Sequence, residues 1–349
     1  MNIGTVSKKL LIWVPVPRFG RSRWRLPAVL AVLLGIAAVA SLFAGSVAIA
    51  PAEVGRALLG RDETVLEIIV WQLRVPRTLL AMLVGASLGL SGAVLQGLLR
   101  NPLAEPGLLG ISAAAAFGAV IAFYSGFAAL FLLALPLGGM AGAAIAVALL
   151  FLLAGPGAST LTLILAGVAV SSLAGALTAL ALNLSANPYA ATEIVFWMMG
   201  SLADRSFDHV QMALACMLPG WVLLFSIRPA LDALSLGEEA ATSLGFSVPG
   251  VRLRAVLGTA LAVGAGVAIS GTIAFVGLVV PHLMRPLVGS EPGRLLGVSA
   301  LAGALLLTVT DIVIRLLPTG PELKIGVLTA LFGAPFFLVL LLRLRRELS

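Results

Sequence analysis

Long apolar runs separated by short polar breaks occupy most of the chain after residue 26. They lie near residues 27–49, 78–98, 107–124, 127–153, 160–182, 210–227, 253–270, 272–289, 294–317 and 323–343. Most runs reach the ~20 residues that an α-helix needs to cross the hydrocarbon core of a bilayer. The pattern therefore predicts an all-α polytopic membrane protein with ten transmembrane helices. Ser270-Gly271 is all that separates the seventh and eighth runs, which leaves one long broken segment as an alternative.

Composition agrees with this class. The 349 residues are 60% hydrophobic and 11% charged, whereas soluble domains carry about 25% charged residues. One cysteine excludes an internal disulfide and a cysteine metal cluster, and His209 and His282 are too few and too scattered for a ligand set. Neither a metal site nor a catalytic site is expected on this chain.

Charge asymmetry orients the helices. Residues 1–26 are rich in Lys and Arg and contain no acid, so this tail is expected to stay in the cytoplasm. Residues 27–349 then form a single transmembrane domain, and ten helices place both termini inside. In this topology bases exceed acids on the inner side, and acids slightly exceed bases outside. The formal net charge of +7 thus indicates membrane orientation and not nucleic-acid binding.

The stretch Arg74–Gly110 combines a spanning run with two unusual ends. Glycines at 85, 89 and 92 predict a small-residue face for close helix contact. Val84–Gly92 also resembles Val263–Gly271, in a segment of opposite predicted direction. Such a match indicates an inverted-topology repeat, which is frequent in transporters. A shared glycine- and alanine-rich composition explains the likeness equally well, so the sequence leaves both explanations open.

Two absences narrow the function. The chain has no GxxxxGK[ST] motif, so it is not expected to bind ATP through a phosphate loop. No predicted span carries an acid at mid-depth, since Asp311 lies near an outer end, whereas ion-coupled carriers usually need buried ionisable groups. Energy is therefore expected from another chain, with an ion-coupled secondary transporter as the alternative. A membrane-embedded hydrolase is disfavoured because no Ser/His, Asp/Asp or His/Glu constellation is visible within the spans.

The largest predicted inner loop, about 228–254, is where that energy would enter. Its centre, Leu234–Leu244, has a helical pattern that Gly245 ends, and Pro249 follows. The segment is short, amphipathic and mildly acidic. It predicts either a helix that docks in a groove of a partner or a solvated surface helix.

A set of motifs in this order resembles the FecCD-type permeases, the membrane subunits of ABC importers for ferric siderophores, haem and vitamin B12. The motifs include WQLRVPRT (71–78), LVGASLGLSGAVLQGLLRNPLAEPGLLG (83–110), FWMMGSL (196–202), LSLGEEAATSLG (234–245), GTIAFVGLVVPHLMR (271–285) and PELKIGVLTALFGAPFF (321–337). The likeness extends from about residue 53 to the C-terminus. The combination of these motifs is far more specific than any one of them.

The resemblance implies an inner-membrane permease that works in a larger assembly. Two permease subunits, identical or paralogous, would enclose the pathway at their interface. Two cytoplasmic ATPase subunits would carry ATP and Mg, so no cofactor is expected on this chain. A periplasmic binding protein would deliver the substrate from outside. The wall of the pathway would come from the fifth and tenth spans, roughly Gly167–Ala179 and Gly326–Pro335.

The resemblance also assigns residues to three sites. The ATPase-coupling segment comprises Leu236, Gly237, Glu238, Glu239, Ala240, Ala241, Leu244 and Gly245. Binding-protein docking falls to Arg74, Arg77 and Arg315, and a cytoplasmic gate to Asn101, Leu103, Ser159 and Thr160. Structural alternatives exist: Arg74 and Arg77 as interfacial anchors, Arg315 as the i, i+4 partner of Asp311, and Asn101 as a turn residue before proline.

Two positions depart from the family pattern. Lys324 replaces the usual proline before the last helix, and Pro286 stands where a second basic residue is common. The substrate is not determined by these motifs. Ferric siderophores are favoured because such systems are the most numerous, and haem and cobalamin stay open.

Overall fold

The computed structural model describes residues 24–45, 47–60, 65–127, 131, 133–155, 159–185, 188–289, 291–317 and 322–348. Within these ranges the regular structure is entirely helical, and residues 1–23 of the predicted tail, residues 1–26, lie outside them. The helices are α1 (Arg25–Phe43), α2 (Pro51–Leu58), α3 (Val65–Ile68), α4 (Val75–Leu98), α5 (Ile111–Tyr124), α6 (Ala134–Ala154), α7 (Thr160–Asn183), α8 (Pro188–Met198), α9 (Phe207–Ser226), α10 (Arg228–Leu234), α11 (Glu238–Ser243), α12 (Val248–Ser270), α13 (Val276–Val288), α14 (Pro292–Leu316) and α15 (Ile325–Leu348). A π-helical turn, Ile69–Arg74, joins α3 to α4.

Eight segments of the described chain are long and apolar enough to cross a membrane: α1, the continuous helix Val65–Leu98, α6, α7, α9, α12, α14 and α15. The protein is therefore polytopic. The third and eighth predicted spans are shorter helices, α5 and α13, of 14 and 13 residues. At 1.5 Å per residue each covers about 20 Å, less than the ~30 Å hydrocarbon core. The prediction of ten full-length spans is thus confirmed for eight.

Both short helices begin late because irregular backbone replaces their predicted first residues. A 3₁₀ turn, Pro106–Leu109, precedes α5. Before α13, helix α12 ends at Ser270 and a non-helical segment extends to Phe275. The seventh and eighth runs are therefore two helices, separated by this segment, which is longer than the predicted break at Ser270-Gly271. Gly271 has φ +71°, and a Cβ atom there would overlap the carbonyl oxygen of Trp197, so only glycine fits the break.

The order of helices supports the proposed repeat. α4 and α12 are the most buried spans, each 78% buried across its apolar window. A short interrupted helix follows each of them, and short interrupted segments at corresponding positions are typical of inverted-repeat transporters. The two long helices also run in opposite directions, since α4 leads towards the 228–254 loop and α12 leads away from it. These features favour a repeat over a chance likeness of composition.

Glycines hold the centre of the bundle together. α4 and α14 pack antiparallel, with Gly85 and Gly89 of α4 against Gly303 and Ser299 of α14. A Cβ atom at Gly85 would lie 2.9 Å from the Cα of Ala304, so the two backbones touch directly. Gly92 packs in the same way against Gly277 of α13. The predicted small-residue face of this stretch is confirmed, and it provides the van der Waals contact that replaces hydrophobic driving force in lipid.

The bundle has two functionally distinct ends. At the arginine end, Arg74 and Arg315 meet the end of α1, and Arg77 pairs with Asp311 of α14. At the loop end, Gly97 of α4 lies against Leu231 of α10 and Pro292 of α14. Because α4 runs from one end to the other, it separates the predicted docking residues from the predicted coupling segment by the thickness of the bundle.

Candidate functional site

Two of the three predicted docking arginines bind the C-terminal end of α1. Arg74 donates to the carbonyl oxygens of Leu42, at 2.7 Å, and Val47, at 2.6 Å. Arg315 donates to those of Ser41, at 2.9 Å, and Ala44, at 3.1 Å, and also to the Ser41 hydroxyl. The last carbonyls of a helix have no partner within the helix, and cations there are favourable. Arg74 and Arg315 therefore fix α1 to the core of the bundle.

Arg77 is held differently, by two carboxylates. Its Nε and Nη2 atoms both donate to Oδ1 of Asp311, at 2.9 and 2.8 Å, and Nε also donates to Oδ2 at 3.2 Å. It also contacts both carboxylate oxygens of Glu322, one of them at 3.3 Å. The Asp311 side chain is 1% exposed and that of Glu322 is 40% exposed. Arg77 thus has one buried partner and one that reaches solvent.

Asp311 is shared between two arginines. Arg315 lies 2.8 Å from its other carboxylate oxygen, so the i, i+4 pair considered for Arg315 is present. The pair does not exclude a docking role for Arg315, which stays a prediction. It does show that this arginine already has partners within the subunit.

The three arginines and Glu322 line a cavity of about 380 Å³ at the arginine end. Arg74, Arg77 and Arg315 contribute positive charge to its wall, and Glu322 and Asp204 contribute negative charge. Apolar side chains of the π-helical turn complete the rim. A pocket of this kind can accept a carboxylate from a partner protein, because guanidinium groups bind carboxylates through charge-assisted hydrogen bonds.

Asn101 and Leu103 form a compact turn at the loop end. The Asn101 side-chain oxygen accepts from the backbone N–H of Leu103 at 2.9 Å, and the Asn101 carbonyl accepts from Ala104 at 3.1 Å. The interpretation of Asn101 as a turn residue is therefore confirmed. Both residues stay partly exposed, so a gate contact with a second subunit is sterically open.

Ser159 and Thr160 begin α7. Ser159 is the N-cap, and its hydroxyl accepts from the backbone N–H of Thr162 at 3.2 Å. Within the described residues no hydrogen bond links this pair to Asn101 or Leu103. The gate role of all four residues stays a prediction.

The two helices predicted to line the pathway are mostly uncovered in the single subunit. The apolar window of α15 is 22% buried and that of α7 is 33% buried. Exposed side chains on α7 include Val168 and Leu173, and those on α15 include Val327 and Leu331. These faces are available to lipid or to a second permease subunit.

The predicted coupling segment folds as two short helices instead of one. α10 ends at Leu234, and Ser235, Leu236 and Gly237 form a turn before α11 begins at Glu238. Gly237 has φ +117°, which no helix can accommodate. The prediction of a continuous helix over Leu234–Leu244 is therefore wrong at its start.

The predicted end of this helix is confirmed. Gly245 has φ +88°, and the N–H of Phe246 bonds back to the carbonyl of Ala241 at 3.0 Å. A left-handed glycine with such a six-residue return is the Schellman termination. Pro249 then lies in the first turn of α12, where its missing N–H costs nothing.

The coupling segment presents apolar side chains to solvent. Leu236 is 74% exposed and Leu244 is 62% exposed, one on each side of α11. Glu239 is also exposed, whereas Ala241 is fully buried and fixes the helix to the bundle. Two exposed leucines beside a carboxylate on a short helix form a surface suited to a groove on a partner.

Two polar contacts fasten this segment to spanning helices. Asp232 of α10 accepts from the backbone N–H of Gly293 at 2.7 Å, in the first turn of α14. Glu238 of α11 pairs with Arg252 of α12 at 2.7 Å. A carboxylate at a helix N-terminus satisfies a free N–H and complements the helix dipole. The 228–254 loop, which contains the coupling segment, is thus bonded directly to α12 and α14.

We expect Asp232→Ala to loosen the coupling segment. Loss of a capping carboxylate costs about 1 kcal/mol, so the midpoint of thermal unfolding in detergent should fall by a few degrees. Transport should fall more than stability does. Glu193→Ala, at an exposed acid of α8, is the matched loss of one carboxylate. Equal transport by the Asp232 variant and wild type would show that this fastening is not needed.

Sequence reasoning missed the residues that pair across long separations. Gln96 in α4 donates to the Leu278 carbonyl and accepts from Arg285, both in α13. Glu105 lies beside the start of α13, where burial raises the pKa of its carboxyl and a hydrogen bond from the Phe275 N–H opposes that rise. No local pattern indicates these contacts. The only sequence signal was the presence of polar residues in otherwise apolar runs.

Comparison with known proteins gives a consistent result. A model of the FecCD transport family matches residues 33–343. The chain is 42% identical over 277 residues to the Fe(3+) dicitrate transport system permease protein FecD of Escherichia coli, covering 79% of this chain and 86% of that protein. It is 41% identical over 324 residues to the vitamin B12 import system permease protein BtuC of Salmonella paratyphi A, covering 93% and 96%.

A solved structure is similar throughout. It is described as an inward-facing conformation of a metal-chelate type ABC transporter, and it superposes with a TM-score of 0.80. The match has 36% sequence identity and covers 92% of this chain and 99% of that one.

Proposed function

Because the chain belongs to the FecCD transport family, we propose that it is the inner-membrane permease subunit of an ATP-driven importer for a metal chelate. It would pair with a second permease subunit, bind two cytoplasmic ATPase subunits through the coupling segment, and receive substrate from a periplasmic binding protein at the arginine end. The ATPases would hydrolyse ATP. The permease would provide the pathway and its gates.

The proposal rests mainly on one observation: the coupling segment exposes apolar side chains and is bonded to two spanning helices. Its leucines at 236 and 244 are exposed, while Asp232 and Glu238 fasten it to α14 and α12. Exposed apolar side chains on a rigidly attached short helix favour a protein partner over a solvated surface. A force applied there would reach both spanning helices, as an ATP-driven importer requires.

The ion-coupled alternative finds less support. Coupled carriers use ionisable groups that bind and release the driving ion within the membrane. Asp311 is the buried acid that would be the candidate for binding such an ion. Its two carboxylate oxygens bond to Arg77 and Arg315. A carboxylate neutralised in this way is poorly suited to exchange protons or sodium ions.

A ferric siderophore is the substrate we favour within this class. FecD is named for ferric dicitrate and BtuC for vitamin B12, and both are metal chelates. The exposed faces of α7 and α15 carry small and aliphatic side chains that suit passage of a bulky complex. Ferric dicitrate, a ferric hydroxamate siderophore, haemin and cyanocobalamin are the probes that distinguish the substrates.

Docking should depend on Arg77. We expect Arg77→Gln to weaken binding of the periplasmic partner about tenfold or more, since hydrogen bonds to charged groups contribute about 1.5–3 kcal/mol. Glutamine is preferable to glutamate, because a third carboxylate beside Asp311 and Glu322 would destabilise the fold itself. Surface plasmon resonance on the detergent-purified importer measures the affinity. Unchanged affinity would remove Arg77 from the docking surface.

Copurification tests the proposed assembly. The tagged chain should retain an ATPase through size-exclusion chromatography, and the loaded binding protein should stimulate its ATP hydrolysis. The chain with Leu184→Asp should behave identically, since that exposed leucine ends α7, away from the coupling segment. A homogeneous chain that binds no ATPase from its own host would contradict the proposal.

A further inference from the structure

Glu322 occupies an unusual position on Arg77. It precedes α15 in a short non-helical segment, residues 322–324, yet its carboxylate crosses to α4 and contacts the Arg77 guanidinium through both oxygens. We propose that Glu322 is a stand-in ligand: in the undocked permease it holds the place on Arg77 that a carboxylate of the binding protein takes on docking. This inference rests on the proposed function.

The two carboxylates on Arg77 differ in how firmly they are held. Asp311 lies within α14, is almost fully buried and bonds to a second arginine. Glu322 bonds to Arg77 alone among the described cations, and its side chain is partly exposed. Water and salt reach the Glu322 side of this ion pair and screen it, so the pair is weaker than the one with buried Asp311. An arriving carboxylate can therefore replace Glu322 without disturbing the Asp311 pair.

The donors of Arg77 favour exchange over simple addition. Its Nε and Nη2 atoms donate to Asp311, and its Nη1 and Nη2 atoms donate to Glu322. These bonds occupy four of the five N–H groups of the guanidinium. A further carboxylate can therefore form a two-oxygen contact with Arg77 only after Glu322 leaves.

The released segment leads directly into a pathway helix. Residue 324 provides the carbonyl that accepts the first helical bonds of α15, from Val327 and Leu328. Gly326, in the first turn of α15, packs directly against the backbone of Met199 and Thr272. A Cβ atom on Gly326 would be 2.6 Å from the Thr272 carbonyl oxygen. Movement of the 322–324 segment would therefore reach the break before α13.

The non-helical segment before α13 also leads to the predicted gate turn. Phe275, at its end, has φ +67°, a strained conformation for a bulky residue, and its ring lies under Gly333 of α15. Pro106, three residues after Leu103 of the predicted gate turn, packs on Gly277 in the first turn of α13. Exchange of Glu322 at the arginine end thus has a continuous mechanical route, through α15 and α13, towards Asn101 and Leu103.

The test compares Glu322→Gln with Arg77→Gln in the intact importer. Glu322→Gln removes the competing carboxylate, so the binding protein should bind roughly fivefold tighter or more, a typical coupling between two ligands, while Arg77→Gln weakens binding. Glu193→Gln, at an exposed acid of α8, is the control and should leave the affinity unchanged. If Glu322→Gln bound the binding protein with unaltered or lower affinity while Arg77→Gln still bound it more weakly, the proposed exchange would be wrong. The docking role of Arg77 would still stand. Unaltered binding by both variants would overturn docking itself.

A distance measurement checks the movement independently. Spin labels at Leu73 and Leu323, two partly or largely exposed positions at the arginine end, can be introduced in a Cys216→Ser background. Pulsed electron spin resonance should show a longer or broader distance distribution when the binding protein is added. Glu322→Gln should show that distribution without the binding protein. An identical distribution in all three samples would contradict the proposal.

Discussion

Gly89→Leu is expected to abolish the folded permease. At this position a Cβ atom would overlap the Ser299 carbonyl oxygen and lie 2.9 Å from its carbon and 3.3 Å from the Gly303 Cα. The neighbours are backbone atoms of α14, which cannot move aside as a flexible side chain could. Overpacking of a close-packed core usually costs about 1–3 kcal/mol, and separation of two helices along their length should exceed that range. Membrane expression and the thermal unfolding midpoint in detergent measure the effect.

Gly35→Leu is the matched control. Gly35 also lies within a spanning helix, α1, but a Cβ atom there would meet no neighbour within 4 Å. This variant should express and unfold like the wild type. If Gly89→Leu were as stable as Gly35→Leu, the direct backbone contact between α4 and α14 would not be the feature that organises the bundle.

Leu236→Asp is expected to eliminate transport while the permease stays folded. Leu236 is 74% exposed in the turn before α11, so its replacement removes no internal packing. A buried apolar anchor at a protein interface contributes about 2 kcal/mol or more, which corresponds to roughly a 30-fold loss of affinity for the ATPase. Copurification with the ATPase and substrate-stimulated ATP hydrolysis should both fall by at least tenfold.

The position of the leucine is what this prediction tests. Leu244→Asp, on the other side of α11, should act in the same direction. Leu184→Asp should have no effect, although Leu184 is 72% exposed. Normal coupling in the Leu236 and Leu244 variants would mean that the ATPase binds elsewhere.

The sequence predicted the features that depend on local pattern. Apolar runs located the spanning helices, and the left-handed requirement at Gly245 correctly ended α11. The glycines of α4 were identified as a contact face because their spacing places them on one side of a helix. These properties are encoded within a few residues of each other.

Contacts between distant residues were beyond local pattern. Arg77 is separated by 234 residues from Asp311 and by 245 from Glu322, so nothing near Arg77 indicates which acid it meets. The helix over Leu234–Leu244 was overextended because Gly237 has no side chain to reveal that its backbone leaves the helical region. The late starts of α5 and α13 follow from the 3₁₀ turn before α5 and the break at Gly271 before α13, which hydropathy does not detect.

These contacts change how the docking arginines are understood. From sequence, Arg74, Arg77 and Arg315 were all predicted docking residues. In the structure, Arg74 and Arg315 bind the end of α1, whereas Arg77 bonds to Asp311 and to the partly exposed Glu322. Under the proposed exchange, Arg77 is the position at which docking would be converted into movement.

Reconstituted transport tests the central claim most directly. Proteoliposomes should contain the chain with its copurifying ATPase, and the binding protein with radioactive ferric siderophore should be supplied on the side of Arg77. We predict accumulation that requires Mg·ATP on the side of the coupling segment, persists when ionophores collapse proton and sodium gradients, and is lost in Leu236→Asp. Accumulation driven by an ion gradient in liposomes that contain the chain without any ATPase would contradict the account.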